Sequence, residues 1–177
     1  MSTITSVNLL VDGYLITGEV KTEERRLLDI LNDDSSDYVS LDQARIYRLD
    51  APDEPVVTLD TILVNKRSLN LAVVTAERPA PPRQRELLYV EKQINRAFIT
   101  VPHCQVWGQV HLPYSPFPVT PESYLTRDAD AFFPITQAEV RSDESSYRLE
   151  RGAAQVVLVR KAAIGVFSLL LDSPERS

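Results

Sequence analysis

The sequence predicts a mainly β protein with a minor α component, built as a tandem duplication of two small β-barrel units that each carry a short inserted helix. Three observations carry this expectation. The stretch Leu63-Val64-Asn65-Lys66-Arg67-Ser68-Leu69-Asn70-Leu71-Ala72-Val73-Val74 returns as Leu158-Val159-Arg160-Lys161-Ala162-Ala163-Ile164-Gly165-Val166-Phe167-Ser168-Leu169. Both copies read as an apolar strand, a basic break and a second apolar strand. Earlier elements recur in the same order, at offsets of 90 (Gly18 to Gly108), 94 (Gln43-Ala44 to Gln137-Ala138) and 95 (Lys66 to Lys161). The offset drifts only across polar segments, as loop insertions between repeats produce.

Taken in order, Val7 to Val11 is a partly alternating strand, and Asp12-Gly13 is a hairpin turn because glycine accepts the positive φ that such turns need. Leu15 to Val20 returns as a second strand, in which Gly18 signals a bulge or sharp bend. Arg25 to Asn32 places Leu27, Leu28, Ile30 and Leu31 at helical spacing, giving a helix of at most two turns before the polar loop Asn32 to Asp37. Strand resumes at Tyr38 to Leu41 and Ala44 to Leu49, with a break expected at Asp42-Gln43. Asp50 to Pro55 is a turn, and Val56 to Val74 supplies two strands about the turn Asn65-Lys66-Arg67. The first unit is thus residues 1–77. Residues 78–96 form a proline-rich, basic linker, extended at Pro79 to Pro82 and expected to be helical over Arg85 to Arg96. The second unit, 97–177, repeats the first. Thr120-Pro121-Glu122 places a helix N-cap and a first-turn proline level with the first unit's helix. Leu69 and Ile164 are expected at equivalent buried positions.

Bulk properties narrow the function classes. The chain has 177 residues, 44% of them hydrophobic and 25% charged, as in ordinary globular proteins. No apolar run is long enough to span a bilayer, and the N-terminus lacks a secretory pattern, so a cytoplasmic location is the default expectation. One cysteine excludes an intramolecular disulfide. The net charge of −6 is concentrated in residues 1–78, with 8 basic and 14 acidic side chains. Such acidity argues against broad nucleic-acid binding.

The run Val11-Asp12-Gly13-Tyr14-Leu15-Ile16-Thr17-Gly18-Glu19-Val20, followed by Val64-Asn65-Lys66-Arg67-Ser68-Leu69, resembles the Sm-like fold, the family of the bacterial RNA chaperone Hfq, a small barrel of SH3-like type. The resemblance covers about two thirds of each half as a pattern rather than an identity. It implies that the basic turns contact RNA. The chain departs from it in the Leu-rich insert at Arg25 to Asn32, in His103 where the first half has Gly13, and in Arg67 where the Hfq signature has histidine. Arg26 to Asn32 followed by Tyr38 to Ala44 is also similar to a family of uncharacterised bacterial proteins of unknown function, which brings no activity with it.

Few residues carry candidate chemistry. His103 and His111 flank a strand beside Cys104, and eight residues of strand separate them by roughly 26 Å, which does not suit a metal. Cys104 lacks the partners of a thiol nucleophile. Asn32 to Asp37 lacks the glycine and terminal glutamate of a calcium loop, and five scattered glycines form no phosphate loop. No enzyme activity, cofactor or metal is therefore expected, and no DNA or membrane partner. The contact candidates are Lys66, Arg67, Arg160 and Lys161, equivalent basic turns set against solvated loops that often carry such residues. The leading expectation is a non-catalytic protein-interaction or assembly module, self-associating or bound to another protein. The alternative is an Sm-like RNA-binding protein using those four residues, and a third is a small-ligand domain built on Trp107, Tyr114 and Phe117.

Overall fold

The computed structural model describes residues 3–23, 25–76, 92–113, 119–127, 129–142 and 154–170. The chain forms strands β1 (Ile4–Val11), β2 (Tyr14–Lys21), β3 (Tyr38–Arg48), β4 (Val57–Asn65), β5 (Leu69–Ala76), β6 (Lys92–Val101), β7 (Cys104–Pro113), β8 (Phe132–Ser142), β9 (Ala154–Arg160) and β10 (Val166–Leu170). Helix α1 (Leu27–Leu31) lies between β2 and β3, and α2 (Pro121–Thr126) between β7 and β8. All ten strands join one antiparallel sheet in the order β10-β6-β7-β8-β9-β5-β1-β2-β3-β4. The first five strands run 5-1-2-3-4 within it, and the last five run in the same relative order, 10-6-7-8-9.

Local chemistry sets the shared shape. At the β1–β2 turn Asp12 has φ 44° and Gly13 φ 82°, the two positive values of a type I′ hairpin. His103, φ 67°, holds the matching turn between β6 and β7. The β2–β3 ladder slips between Thr17 and Glu19, and the β7–β8 ladder between Trp107 and Gln109. Gly18 and Gly108 sit at these slips, pressed on the neighbouring strand: a Cβ on Gly18 would lie 2.8 Å from the Asp42 carbonyl oxygen, and one on Gly108 2.9 Å from that of Thr136. Across each slip stands a glutamine in left-handed backbone, Gln43 at φ 53° and Gln137 at φ 48°. The expected break at Asp42-Gln43 is therefore a bulge inside one continuous strand.

The helices start as their sequences dictate. The Thr120 hydroxyl accepts from Ser123 N at 3.1 Å, and the Ser123 hydroxyl accepts from Thr120 N at 3.0 Å. This reciprocal cap precedes Pro121 in the first turn. At α1 the Asp29 carboxylate accepts from Arg26 N at 3.2 Å. One expectation is corrected: residues 92–96 are strand rather than helix or linker, because they extend the β6–β7 hairpin with Ile94 opposite His111 and Arg96 opposite Gln109. The rest of the proline-rich segment lies outside the described residues.

Two apolar clusters fill the fold. One gathers Val7, Leu9, Ile16, Leu27, Leu31, Leu41 and Leu69 of the first half and takes Phe132 and Leu158 from the second. The other gathers Ile99, Val106, Phe133, Ile135 and Val157 of the second half with Leu10, Leu15, Leu71 and Val73 of the first. Leu69 is fully buried, whereas Ile164 is only half-buried against the second cluster.

Candidate functional site

The basic turns come together at one end of the central junction. Strands β5 and β9 pair through Leu71–Val159, Ala72–Leu158, Val73–Val157 and Val74–Val156. This places the β4–β5 turn beside the single 3-10 turn Lys161–Ala163 that follows β9. Arg160 Nε donates to the Leu69 carbonyl at 2.7 Å, directly across the junction.

Two of the predicted contact residues, Lys66 and Arg160, are held within the fold. Lys66 is buried, and its ammonium donates to the Asp33 carbonyl oxygen at 2.8 Å. Burial pulls the Lys66 pKa below its usual value, opposed by the nearby negative charge of Asp33. Arg67 meets Asp37 at 3.2 Å, in an exposed pair of small energetic weight. Arg160 is committed to the junction. Lys161 is half-exposed and begins the 3-10 turn.

The acidic loop after α1 explains why these turns are not a bare cationic patch. Asp33 accepts from Ser35 N at 2.9 Å and pairs with Arg25 at 2.8 Å. Hydrogen bonding from Ser35, and then from Arg25, holds its carboxyl far below the usual carboxylate range. Asp34 and Asp37 add further negative charge around Lys66. Asn32 bridges to the second half: its side chain donates to the Phe132 carbonyl at 3.0 Å and accepts from Phe132 N at 2.8 Å.

The other candidates separate. Cys104 is buried at the start of β7, a packing position. His111 Nε2 lies 2.6 Å from the Thr136 hydroxyl, while His103 sits at the turn on the far side of Cys104. Among the described residues, no group of three or more His, Cys, Asp or Glu side chains is placed to hold a metal ion. Trp107 packs on Phe98 with ring centroids 4.3 Å apart; Tyr114 and Phe117 lie outside the described residues. A shallow polar groove of about 300 Å³ runs over the β2–β3 bulge, lined by Ser6, Asn8, Thr17, Glu19, Gln43 and Arg45 among others. Nothing local in the sequence announces this groove, because its lining comes from five strands brought together by their pairing.

The features that the sequence did not reveal are the two sheet edges. Among the described residues, strand β4 ends the sheet on one side and β10 on the other. Val57, Leu59 and Leu63 on β4 are exposed at 38%, 42% and 68%, and Val166 on β10 at 51%. Comparisons with protein-family models, with characterised proteins and with solved structures yield no match.

Proposed function

We propose that this chain is a non-catalytic assembly module, a tandem duplication of two small Sm-like β units, the first at residues 1–77 and the second beginning with β6 at Lys92, that acts through protein–protein contact. The repeated strand order, with matched glycine bulges, supports the duplication. The observation that carries the functional reading is the state of the β4 edge. It presents unpaired backbone groups together with exposed Val57, Leu59 and Leu63. Soluble proteins ordinarily protect such an edge with charge, proline or a covering segment, and an apolar edge is a template for adding another strand. The RNA-binding alternative rests on the basic turns, and it is weakened by the engagement of Lys66 and Arg160 within the fold.

A titration with single-stranded RNA, run beside sedimentation of the same samples, separates the two. The assembly reading predicts no measurable RNA binding at physiological salt. It also predicts that replacing Lys66, Arg67, Arg160 and Lys161 with alanine leaves the sedimenting mass unchanged wherever the variant remains folded. Micromolar or tighter RNA binding that weakens with salt and disappears in the quadruple variant would instead establish the RNA reading.

A further inference from the structure

We infer that the polar groove on the first half is a binding site for a small zwitterion, of the class of the free polar α-amino acids. The groove encloses about 300 Å³, at the small end of the range of about 300–1,000 Å³ for small-molecule sites.

The groove is open because of which side chains stand in one row across three strands. Asn8 on β1 lies opposite Thr17 on β2, and Thr17 lies opposite Arg45 on β3. Beside the matching slip at Gly108, the same row reads Phe98, Trp107 and Glu139. There two aromatic rings pack with centroids 4.3 Å apart, and Arg141 closes on Glu139 at 2.9 Å. The backbone is not the source of the difference, since both bulges carry a glycine at the slip and a left-handed glutamine across it. Two packed rings in the second half are replaced by a short amide and a hydroxyl in the first. The space over the first bulge is thereby left empty of protein and lined with hydrogen-bonding groups.

Charge identifies the occupant. Glu19 and Arg45 both line the groove, and neither forms an ion pair or a side-chain hydrogen bond with another described residue. Thr17, opposite Arg45, and Glu19 are two residues apart on β2, roughly 6.6 Å of strand. Asp42, across the ladder from Glu19, is already engaged by Lys21 at 2.7 Å and by Thr61 at 2.8 Å. Two unengaged charges of opposite sign thus face one small space. A molecule that carries both an ammonium and a carboxylate meets them together: the carboxylate on the Arg45 guanidinium, which can donate two parallel bonds, and the ammonium on the Glu19 carboxylate. The amides of Asn8 and Gln43 and the Thr17 hydroxyl offer donors and acceptors to a polar side chain. A polyanion is opposed by Glu19. A sugar finds no aromatic face in the lining, and an apolar ligand finds little surface to bury.

The test is titration of the full-length protein with L-glutamine and with L-serine, followed by backbone amide shifts in heteronuclear NMR spectra. The expected result is saturable shifts around Gly18, with half-saturation at about millimolar concentration or below for a ligand of this size. N-acetylglutamine, which lacks the ammonium, and glutamine amide, which lacks the carboxylate, should each bind at least about tenfold more weakly than glutamine. Glu19→Gln and Arg45→Gln should each weaken glutamine binding by at least about tenfold, while Glu139→Gln leaves it unchanged. The double variant Asn8→Phe with Thr17→Trp places the second half's rings in the groove and should abolish binding with an unchanged circular dichroism spectrum. If that variant does not fold, the two single-charge variants decide the outcome. Absence of saturable shifts with both amino acids would overturn the inference. So would glucose shifting the same amides as strongly, or glutamine affinity retained in both Glu19→Gln and Arg45→Gln.

Discussion

Leu63 on β4 and Leu158 on β9 correspond under the proposed duplication, so truncating each isolates the effect of the junction. Leu158 is 2% exposed and is packed in the first half's core; Leu63 is 68% exposed on the free edge. Leu158→Ala removes a buried side chain and should cost about 2–5 kcal/mol. With a urea m-value of about 2 kcal/mol/M, that lowers the unfolding midpoint by about 1–2.5 M. Leu63→Ala, measured in dilute solution where copies are separate, should change stability by no more than about 0.5 kcal/mol. The assay is urea unfolding followed by both circular dichroism and tryptophan fluorescence, to check that a single transition is being compared. Equal costs for the two variants would refute the reasoning, because they would mean that β9 is not packed across the first half's core.

Three further outcomes follow from the same geometry. Gly108→Ala should destabilise by about 1–3 kcal/mol, because the added methyl overlaps Ile135 Cγ2 beside the Thr136 carbonyl; thermal unfolding checks it. Asn32→Ala leaves the Phe132 amide and carbonyl without their side-chain partner across the junction and should cost about 1–3 kcal/mol in urea unfolding. The carboxyl of Asp33 is held below its unfolded value of 3.8, so on acidification the unfolded chain binds that proton first. Its stabilising contribution is thus present above about pH 4 and lost as pH falls below that, and Asp33→Asn should flatten the acid limb of a stability–pH curve.

The local features of this fold were legible because each depends on a residue with few alternatives. Asp12-Gly13, Gly18, Gly108 and the cap Thr120-Pro121 announce their turns, bulges and helix start through backbone geometry that other residues rarely adopt. The shared glutamines, Gln43 and Gln137, were visible in the sequence, and both stand in left-handed backbone at a ladder slip. What depends on pairing was not legible. Residues 92–96 carry one apolar side chain, Ile94, and become strand only through the long ladder with β7. Lys66 reads as a solvated turn residue, and it is buried because the loop after α1 folds over it from 33 residues away. The adjacency of β5 to β9, and with it the identity of the free edges, belongs to the order of strands in space and leaves no local periodicity to read.

If this chain assembles through its sheet edges, the wild type and Leu63→Lys must differ in sedimentation. Leu63 is exposed in the single chain, so a lysine there leaves the fold intact while placing a charge on the apolar β4 edge. Edge-to-edge assembly makes the wild type sediment as a multiple of 19.9 kDa, and Leu63→Lys, with an unchanged circular dichroism spectrum, at 19.9 kDa. A wild type that remains at 19.9 kDa at every concentration, or a Leu63→Lys variant that assembles as fully as the wild type, would contradict it.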